Sequence, residues 1–195
     1  MKKLVCITAL ALLAFSNANA QDSNDTTVGF ANGDIFFSGT ASYVTNKFGE
    51  EKDETFAFVP KVGFFVSDNI AIGGQVGYGF SKEEFEGEEV GNLQIAQLGV
   101  FARYYNKPAN QFSLFGQLSV DYLSINNKIA DAKATGFDVT IAPGISYFVS
   151  DNFALEATVG LLSYTSVKPD GGESTNTFST GLDFSNVSFG LVYKL

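Results

Sequence analysis

The densest group of ionisable side chains lies between residues 82 and 89, where five glutamates surround Phe85. Carboxylates at this spacing are suited to divalent cations or to a basic partner, and an exposed phenylalanine would add an apolar contact. Charge runs are more often plain solvated loops, and that interpretation is favoured. The candidate recognition residues, which include one aromatic residue of an earlier polar stretch, are Phe48, Glu83, Glu84, Phe85, Glu86, Glu88 and Glu89.

A second group of polar side chains is scattered singly through segments in which apolar and small residues alternate. These side chains share the parity of the small residues, which predicts that they lie together on one face. Buried charges need partners, so we expect an ion-pair network that fills the interior of a narrow barrel. Its candidate members are Lys61, Gln75, Arg103, Gln117, Asp121, Asp138, Glu156 and Lys194. Glycines on the same face, among them Gly63, Gly144 and Gly160, would make room for long side chains.

Several kinds of chemistry are excluded or disfavoured by composition. The chain has no histidine, which removes Ser-His-Asp and Cys-His catalysis and disfavours a zinc or copper site. The glycine-rich run of residues 73–79 lacks a P-loop lysine, so packing is favoured over nucleotide binding. The net charge of −9 repels nucleic acid. We therefore expect no catalytic residue, no metal and no cofactor.

The elements that must position these residues are clearest in a stretch that occurs twice. Residues 60–78 and 143–161 each carry Phe-Val-Ser-Asp-Asn between two alternating segments. Asp and Asn tolerate left-handed backbone angles and bond to their own backbone, so each copy is predicted to be a hairpin with a tight turn. Pro60 and Pro143 begin the copies, and since proline cannot donate to a sheet, a bulge or an unpaired position is expected there.

Eight alternating segments follow one another after a polar stretch, Gln21–Asn32, that is predicted to be mobile. Their predicted bounds are Asp34–Val44, Thr55–Val66, Ile70–Ser81, Leu93–Tyr105, Gln111–Ile125, Thr135–Val149, Phe153–Val167 and Leu182–Leu195. Short turns alternate with longer hydrophilic loops, which are predicted at Thr45–Glu54, Lys82–Asn92, Asn126–Ala134 and Lys168–Gly181. An even number of strands with this alternation is typical of an outer-membrane barrel.

The two faces of the predicted strands differ in polarity. In the second strand Phe56, Phe58 and Phe64 share one face, and in the seventh Leu155, Val159 and Leu161 do so. A soluble barrel would turn the apolar face inward, whereas a membrane barrel turns it to lipid. The sequence thus predicts an all-β, eight-stranded antiparallel transmembrane β-barrel, an up-and-down meander. Short turns and both termini would lie in the periplasm.

The N-terminal residues 1–20 combine two lysines, an apolar run from Leu4 to Phe15 and the ending Ala-Asn-Ala. This pattern predicts a signal peptide cleaved after Ala20, which leaves residues 21–195 as the barrel domain. The single cysteine, Cys6, lies within the leader, so the mature chain is expected to have neither a disulfide nor a lipid anchor.

The C-terminal residues from Val187 to Leu195 alternate in a way that resembles the signal read by the outer-membrane assembly machinery. Leu182 and Phe184 are out of parity with Val187, which predicts a bulge near Ser185. With the Ser-Asp-Asn hairpins and the aromatic outer face, the chain resembles small eight-stranded outer-membrane barrels of the OmpX and OmpA-barrel type, most like those of Bacteroidetes. The resemblance covers the whole mature chain and implies the outer membrane of a Gram-negative bacterium.

The resemblance implies a fold more sharply than a role, since members of this family serve in adhesion, envelope integrity or defence. We expect a non-enzymatic surface protein that acts through acidic loops, in contact with membrane lipid and lipopolysaccharide. An extracellular protein or a divalent cation is the possible loop partner. The alternatives are a narrow channel for ions or small solutes, a soluble barrel for an apolar ligand and, least favoured, a lipid-modifying enzyme.

Overall fold

The computed structural model describes residues 28–182 and 187–195, and across them the chain forms ten β-strands. The strands are β1 (Ile35–Phe48), β2 (Glu51–Phe65), β3 (Ile70–Phe85), β4 (Glu88–Tyr105), β5 (Phe112–Asn127), β6 (Ala132–Phe148), β7 (Phe153–Thr158), β8 (Leu162–Pro169), β9 (Thr175–Thr180) and β10 (Ser188–Lys194). The leader with Cys6 and the bulge expected near Ser185 lie outside the described residues. In the described part no helix is long and apolar enough to cross a membrane.

The strands close into an antiparallel barrel. Each of β1 to β6 pairs with the next, and β1 also pairs with β10 from Phe36↔Lys194 to Ala41↔Phe189. Both β7 and β8 pair with β6, while β9 pairs with β8 and β10 pairs with β7. The elements β7 and β8 are therefore two halves of the seventh barrel strand, and β9 and β10 are two halves of the eighth. The predicted eight-stranded meander is therefore confirmed.

The two prolines interrupt pairing in different ways. Opposite Pro60 the β2–β3 ladder skips two residues, yet Phe58↔Tyr78 and Lys61↔Gln75 keep the same register. Opposite Pro143 the neighbouring strand gains one residue at 159–161, between Gly144↔Thr158 and Ile141↔Leu162. The prediction of a continuous strand Phe153–Val167 is thus wrong, because this bulge reverses the parity of the residues beyond it. Gly160 lies in the bulge and is exposed, so it makes room for no lumen side chain.

Two of the predicted long loops are instead extended hairpins, and the predicted loop Lys168–Gly181 contains strand β9. β1 and β2 stay paired up to Phe48↔Glu51, and β3 and β4 up to Phe85↔Glu88, with two residues in each turn. Positive φ angles at Gly49 (63°), Glu86 (53°) and Gly87 (83°) suit such tight turns. Alternation of polarity disappears here because both faces contact water, while the backbone pairing continues.

The outside of the barrel is apolar, as the strand parity predicts. Phe37, Phe64 and Leu118 are 50%, 44% and 47% exposed, whereas the inward-facing Phe36 and Phe65 are fully buried. Paired aromatic rings, Phe56–Phe80 at 5.6 Å and Tyr122–Phe137 at 5.5 Å between centroids, lie on the outer face near the end that carries the extended hairpins. We call this the hairpin end, and the opposite end, with the short turns, the turn end.

Candidate functional site

The turn end of the lumen is closed by the segment that precedes β1. Phe30 of this N-terminal plug, residues 28–34, is 1% exposed and its ring packs on Phe65 at 4.7 Å and Phe148 at 4.9 Å between centroids. Phe36 and Tyr105 complete the cage at 5.3 and 5.4 Å. The segment predicted to be mobile therefore contributes a central core residue from its C-terminal part.

The strand β10 and the turn between β4 and β5 hold the plug in place. The Phe30 amide donates to the carbonyl of Pro108 at 2.7 Å, and Lys194 Nζ donates to the carbonyl of Gly29 at 2.5 Å. Gly29 has φ +141° and lies so close to the 108–109 backbone that a Cβ would come within 2.4 Å of Ala109. Only glycine fits this position.

Above the plug a buried arginine forms the centre of a polar cluster. Arg103 Nη1 donates to Glu156 Oε1 at 2.9 Å and to the Tyr105 hydroxyl at 2.9 Å, and its Nε donates to Gln117 Oε1 at 2.7 Å. Arg103 and Glu156 are 1% and 3% exposed. The guanidinium carbon also lies 4.6 Å from the ring centroid of Phe115. This charge is paired and enclosed by aromatic faces, which is how a buried arginine is tolerated.

Glycines on neighbouring strands make room for these rings, as expected. A Cβ at Gly63 would lie 2.2 Å from the Phe36 ring, and one at Gly144 would lie 2.4 Å from the Phe115 ring. In each pair the glycine sits directly beside the phenylalanine in the ladder, Phe36↔Gly63 and Phe115↔Gly144. The large ring of one strand thus lies over the bare backbone of the next.

The remaining inward-facing residues form separate groups. Gln75 Nε2 donates to both oxygens of Asp121 at 2.7 and 2.8 Å. Asp138 accepts from the hydroxyls of Thr140 and Thr165, each at 2.6 Å. Lys61 Nζ lies 6.0 Å from the Phe101 ring centroid. The eight predicted residues all occupy the lumen side, but they are divided among several clusters, and Lys194 holds the plug instead of joining them.

Sequence reasoning missed Tyr105 and Phe30. The signal for Tyr105 is its parity, because it follows Arg103 by two residues and so shares its face. Nothing comparable marks Phe30, a lone aromatic residue in a polar stretch. Arg103 Nε and Nη1 donate to protein side chains, whereas Nη2 is buried without a hydrogen-bond partner. The cluster links β4, β5 and β7 across the lumen. Among residues 28–182 and 187–195, no group of three or more His, Cys, Asp or Glu is placed to hold a metal ion.

At the hairpin end β1 to β4 continue past the Phe56–Phe80 pair as a four-stranded projection. We call this projection, residues 44–55 and 81–93, the acidic paddle. The amide of Glu86 donates to the carbonyl of Glu50 at 3.2 Å and so joins the two turns. Six of the seven predicted recognition residues lie in its strands and only Glu86 lies in a turn, so the predicted acidic loop is replaced by ordered sheet.

The outer face of the acidic paddle continues the apolar face of the barrel and carries its lysines. Lys52 Nζ lies 2.9 Å from Glu54 and 3.8 Å from Glu84, and Lys82 Nζ lies 3.3 Å from Glu89. Glu54 also accepts from the Tyr43 hydroxyl at 3.0 Å. Charges on this face are therefore largely balanced within the protein.

The inner face of the acidic paddle is different in charge and in exposure. The strand register places Phe48, Glu51, Phe85 and Glu88 in one row, and Asp53 and Glu83 in the next row towards the barrel. Phe48 is 85% exposed and Phe85 is 46% exposed. The four carboxylates are exposed, and among the described residues none of them forms a salt bridge. The predicted recognition residues are thus divided between two unlike faces.

Acid should break the outer-face pairs. The hydrogen bond from Lys52, with that from Tyr43, lowers the pKa of Glu54 below its ordinary value of about 4.3. Because the pKa of Glu54 is lowered in the folded protein, the pairing stabilises the paddle at pH values above the ordinary pKa. This stabilisation is lost as the pH falls through the lowered pKa. In a carboxyl NMR titration, Lys52→Gln is expected to raise the Glu54 midpoint. The same midpoint in both proteins would contradict the pairing.

A family model described as the outer membrane protein beta-barrel domain matches residues 7–194. The chain belongs to this family. In this outer-membrane barrel, the lipid-facing wall is the apolar outer face described above, and the family places it in the Gram-negative outer membrane.

Two solved barrels show the same fold. Neisserial surface protein A, from Neisseria, superposes with a TM-score of 0.52 at 18% identity, over 83% of this chain and 97% of that one. OprG from Pseudomonas aeruginosa gives 0.51 at 12% identity, over 86% and 98% of the two chains. At such identities the likeness concerns the fold of the outer-membrane barrel alone. No curated protein matches the sequence.

Proposed function

We propose that this barrel is a non-enzymatic surface protein that presents the acidic paddle to the exterior, with the turn end and both termini in the periplasm. The observation that carries the proposal is the contrast between the two ends. The turn end is filled by the N-terminal plug and the Arg103–Glu156 cluster, whereas the hairpin end projects an ordered, charged sheet. A relative by fold is itself named a surface protein.

The filled lumen argues against the channel alternative. An eight-stranded barrel has room for little beyond its own side chains. Phe30, Phe65, Tyr105 and Phe148 meet across the turn end with centroid distances near 5 Å, which leaves no water path between those rings. In planar bilayers the protein is expected to give no stable conductance.

Contacts with the envelope complete the proposal. The aromatic outer face would meet membrane lipid, and the outer paddle face above it would meet lipopolysaccharide. The alternating β10 would be the strand recognised by the assembly machinery.

Orientation can be tested by single cysteines, because the only native cysteine lies in the predicted leader. Glu50→Cys and Glu86→Cys probe the hairpin end, and Asp68→Cys and Asp151→Cys are matched turn-end controls. In intact cells a membrane-impermeant maleimide is expected to label only the first pair, and all four after the outer membrane is opened. Labelling of the turn-end cysteines in intact cells, or stable ion conductance of the purified protein, would overturn the proposal.

A further inference from the structure

We propose that the inner face of the acidic paddle is a docking site for a cationic peptide segment that carries aromatic or aliphatic side chains. This inference rests on the proposed function, since it needs the paddle to face the exterior. Recognition would then belong to one face of the sheet, and the partner would be positively charged and partly apolar.

Charge is segregated between the faces of the paddle. The lysines Lys47, Lys52 and Lys82 have the parity of the outer face, and two of them are in salt bridges there. The inner face has no basic residue and carries Glu51, Asp53, Glu83 and Glu88. A face with one sign of charge, beside a balanced one, is complementary to a partner of the opposite sign.

Apolar surface on the inner face is exposed in the same rows as the carboxylates. Phe48 and Phe85 flank Glu51 through the register Phe48↔Glu51↔Phe85, so the two rings lie on either side of one carboxylate. Aromatic side chains are common anchors in interfaces, and their faces attract lysine and arginine. Rings that alternate with carboxylates suit a partner in which basic and apolar side chains alternate.

The geometry favours a peptide over a metal ion. Phe85 separates Glu51 from Glu88, and Asp53 and Glu83 form a directly opposed pair. The described residues contain no group of three or more such side chains that could hold a metal. Gly91 leaves room for the Glu83 side chain, because a Cβ at position 91 would lie 3.0 Å from the Glu83 carboxylate. The acids are thus spread along a surface, as an extended partner requires.

Binding can be measured by calorimetry on the full-length mature barrel in nanodiscs of zwitterionic lipid. The probe is a peptide of about ten residues with equal numbers of lysine and phenylalanine, and the control peptide has glutamate in place of lysine. The lysine peptide is expected to bind, more weakly at higher salt, and the glutamate peptide is expected not to bind.

Two triple variants with the same change in charge separate the faces. Glu51→Gln/Asp53→Asn/Glu83→Gln removes three inner carboxylates and is expected to weaken binding by about tenfold or more. Glu54→Gln/Glu84→Gln/Glu89→Gln removes three outer carboxylates and is expected to leave the affinity within about twofold. Phe48→Ser/Phe85→Ser is expected to weaken binding with the salt dependence retained. The gel mobility of the unboiled protein checks that each variant is folded.

Three outcomes would overturn the inference: no binding of the lysine peptide, equal losses in the two triple variants, or calcium binding at the inner face without peptide binding. The cysteine labelling described above reports on the proposed function separately. Labelled hairpins with no peptide binding would overturn this inference alone, whereas unlabelled hairpins would overturn the surface role.

Discussion

Glu156→Ala is expected to destabilise the barrel by about 3–5 kcal/mol, since it leaves the Arg103 charge buried and without its carboxylate. The Arg103 Nη1 to Glu156 Oε1 distance is 2.9 Å and both side chains are nearly free of solvent contact. No water replaces the lost partner at low cost in so enclosed a site. The measurement is urea unfolding in lipid vesicles, followed by the mobility of unboiled protein on a gel.

A double variant distinguishes loss of the pair from loss of packing. Arg103→Met/Glu156→Gln removes both charges while keeping side-chain volume, and it is expected to recover most of the stability. Glu54→Ala breaks an exposed pair instead and is expected to change stability little. If the double variant is no more stable than Glu156→Ala alone, the cost does not come from an unpaired charge.

Phe30→Ala is expected to cost about 3–5 kcal/mol, since it empties a site enclosed by four aromatic rings. It also removes the ring that seals the turn end, so amide hydrogen exchange should rise in the first residues of β1 and the last of β2. Unfolding in vesicles and exchange detected by mass spectrometry would measure the two effects.

The matched control for the plug is a phenylalanine of the same strand region that faces outward. Phe37→Ala removes a ring that is 50% exposed, so its stability cost should be smaller and exchange at the turn end should be unchanged. Gly29→Val should unseat the plug without removing the ring, because its side chain meets the backbone of residues 108–109. Equal costs for Phe30→Ala and Phe37→Ala would show that the plug does not seal the lumen.

The strand number and the inside–outside assignment follow from sequence because lipid imposes a strict period of two. Parity alone places Arg103 and Glu156 in the lumen. It does not pair them, since they come from β4 and β7, which are not neighbours in the barrel and meet only across its interior. Which side chains pair across the lumen depends on strand tilt and on side-chain length, and neither can be inferred from the sequence of one strand.

The sequence predicts neither the paddle nor the plug, and the reasons are opposite. In the paddle both sheet faces contact water, so Glu83 and Glu84 look alike in sequence although they lie on opposite faces. In the plug, Phe30 is buried by residues far along the chain, and its polar neighbours suggest a solvated segment. Turn chemistry at Gly49 and Gly87 is the signal that would have extended the hairpins.

Closure of the barrel depends on contacts between residues that are far apart in the sequence. Lys194 contacts Gly29 across a separation of 165 residues, and β10 beside it pairs with β1. Contacts so distant in sequence form late, because the intervening chain must first be brought together. A barrel in which β10 has not docked exposes the edge of β1 and lacks the lysine that anchors the plug. Docking of β10 therefore supplies the closing strand and the seal in one step.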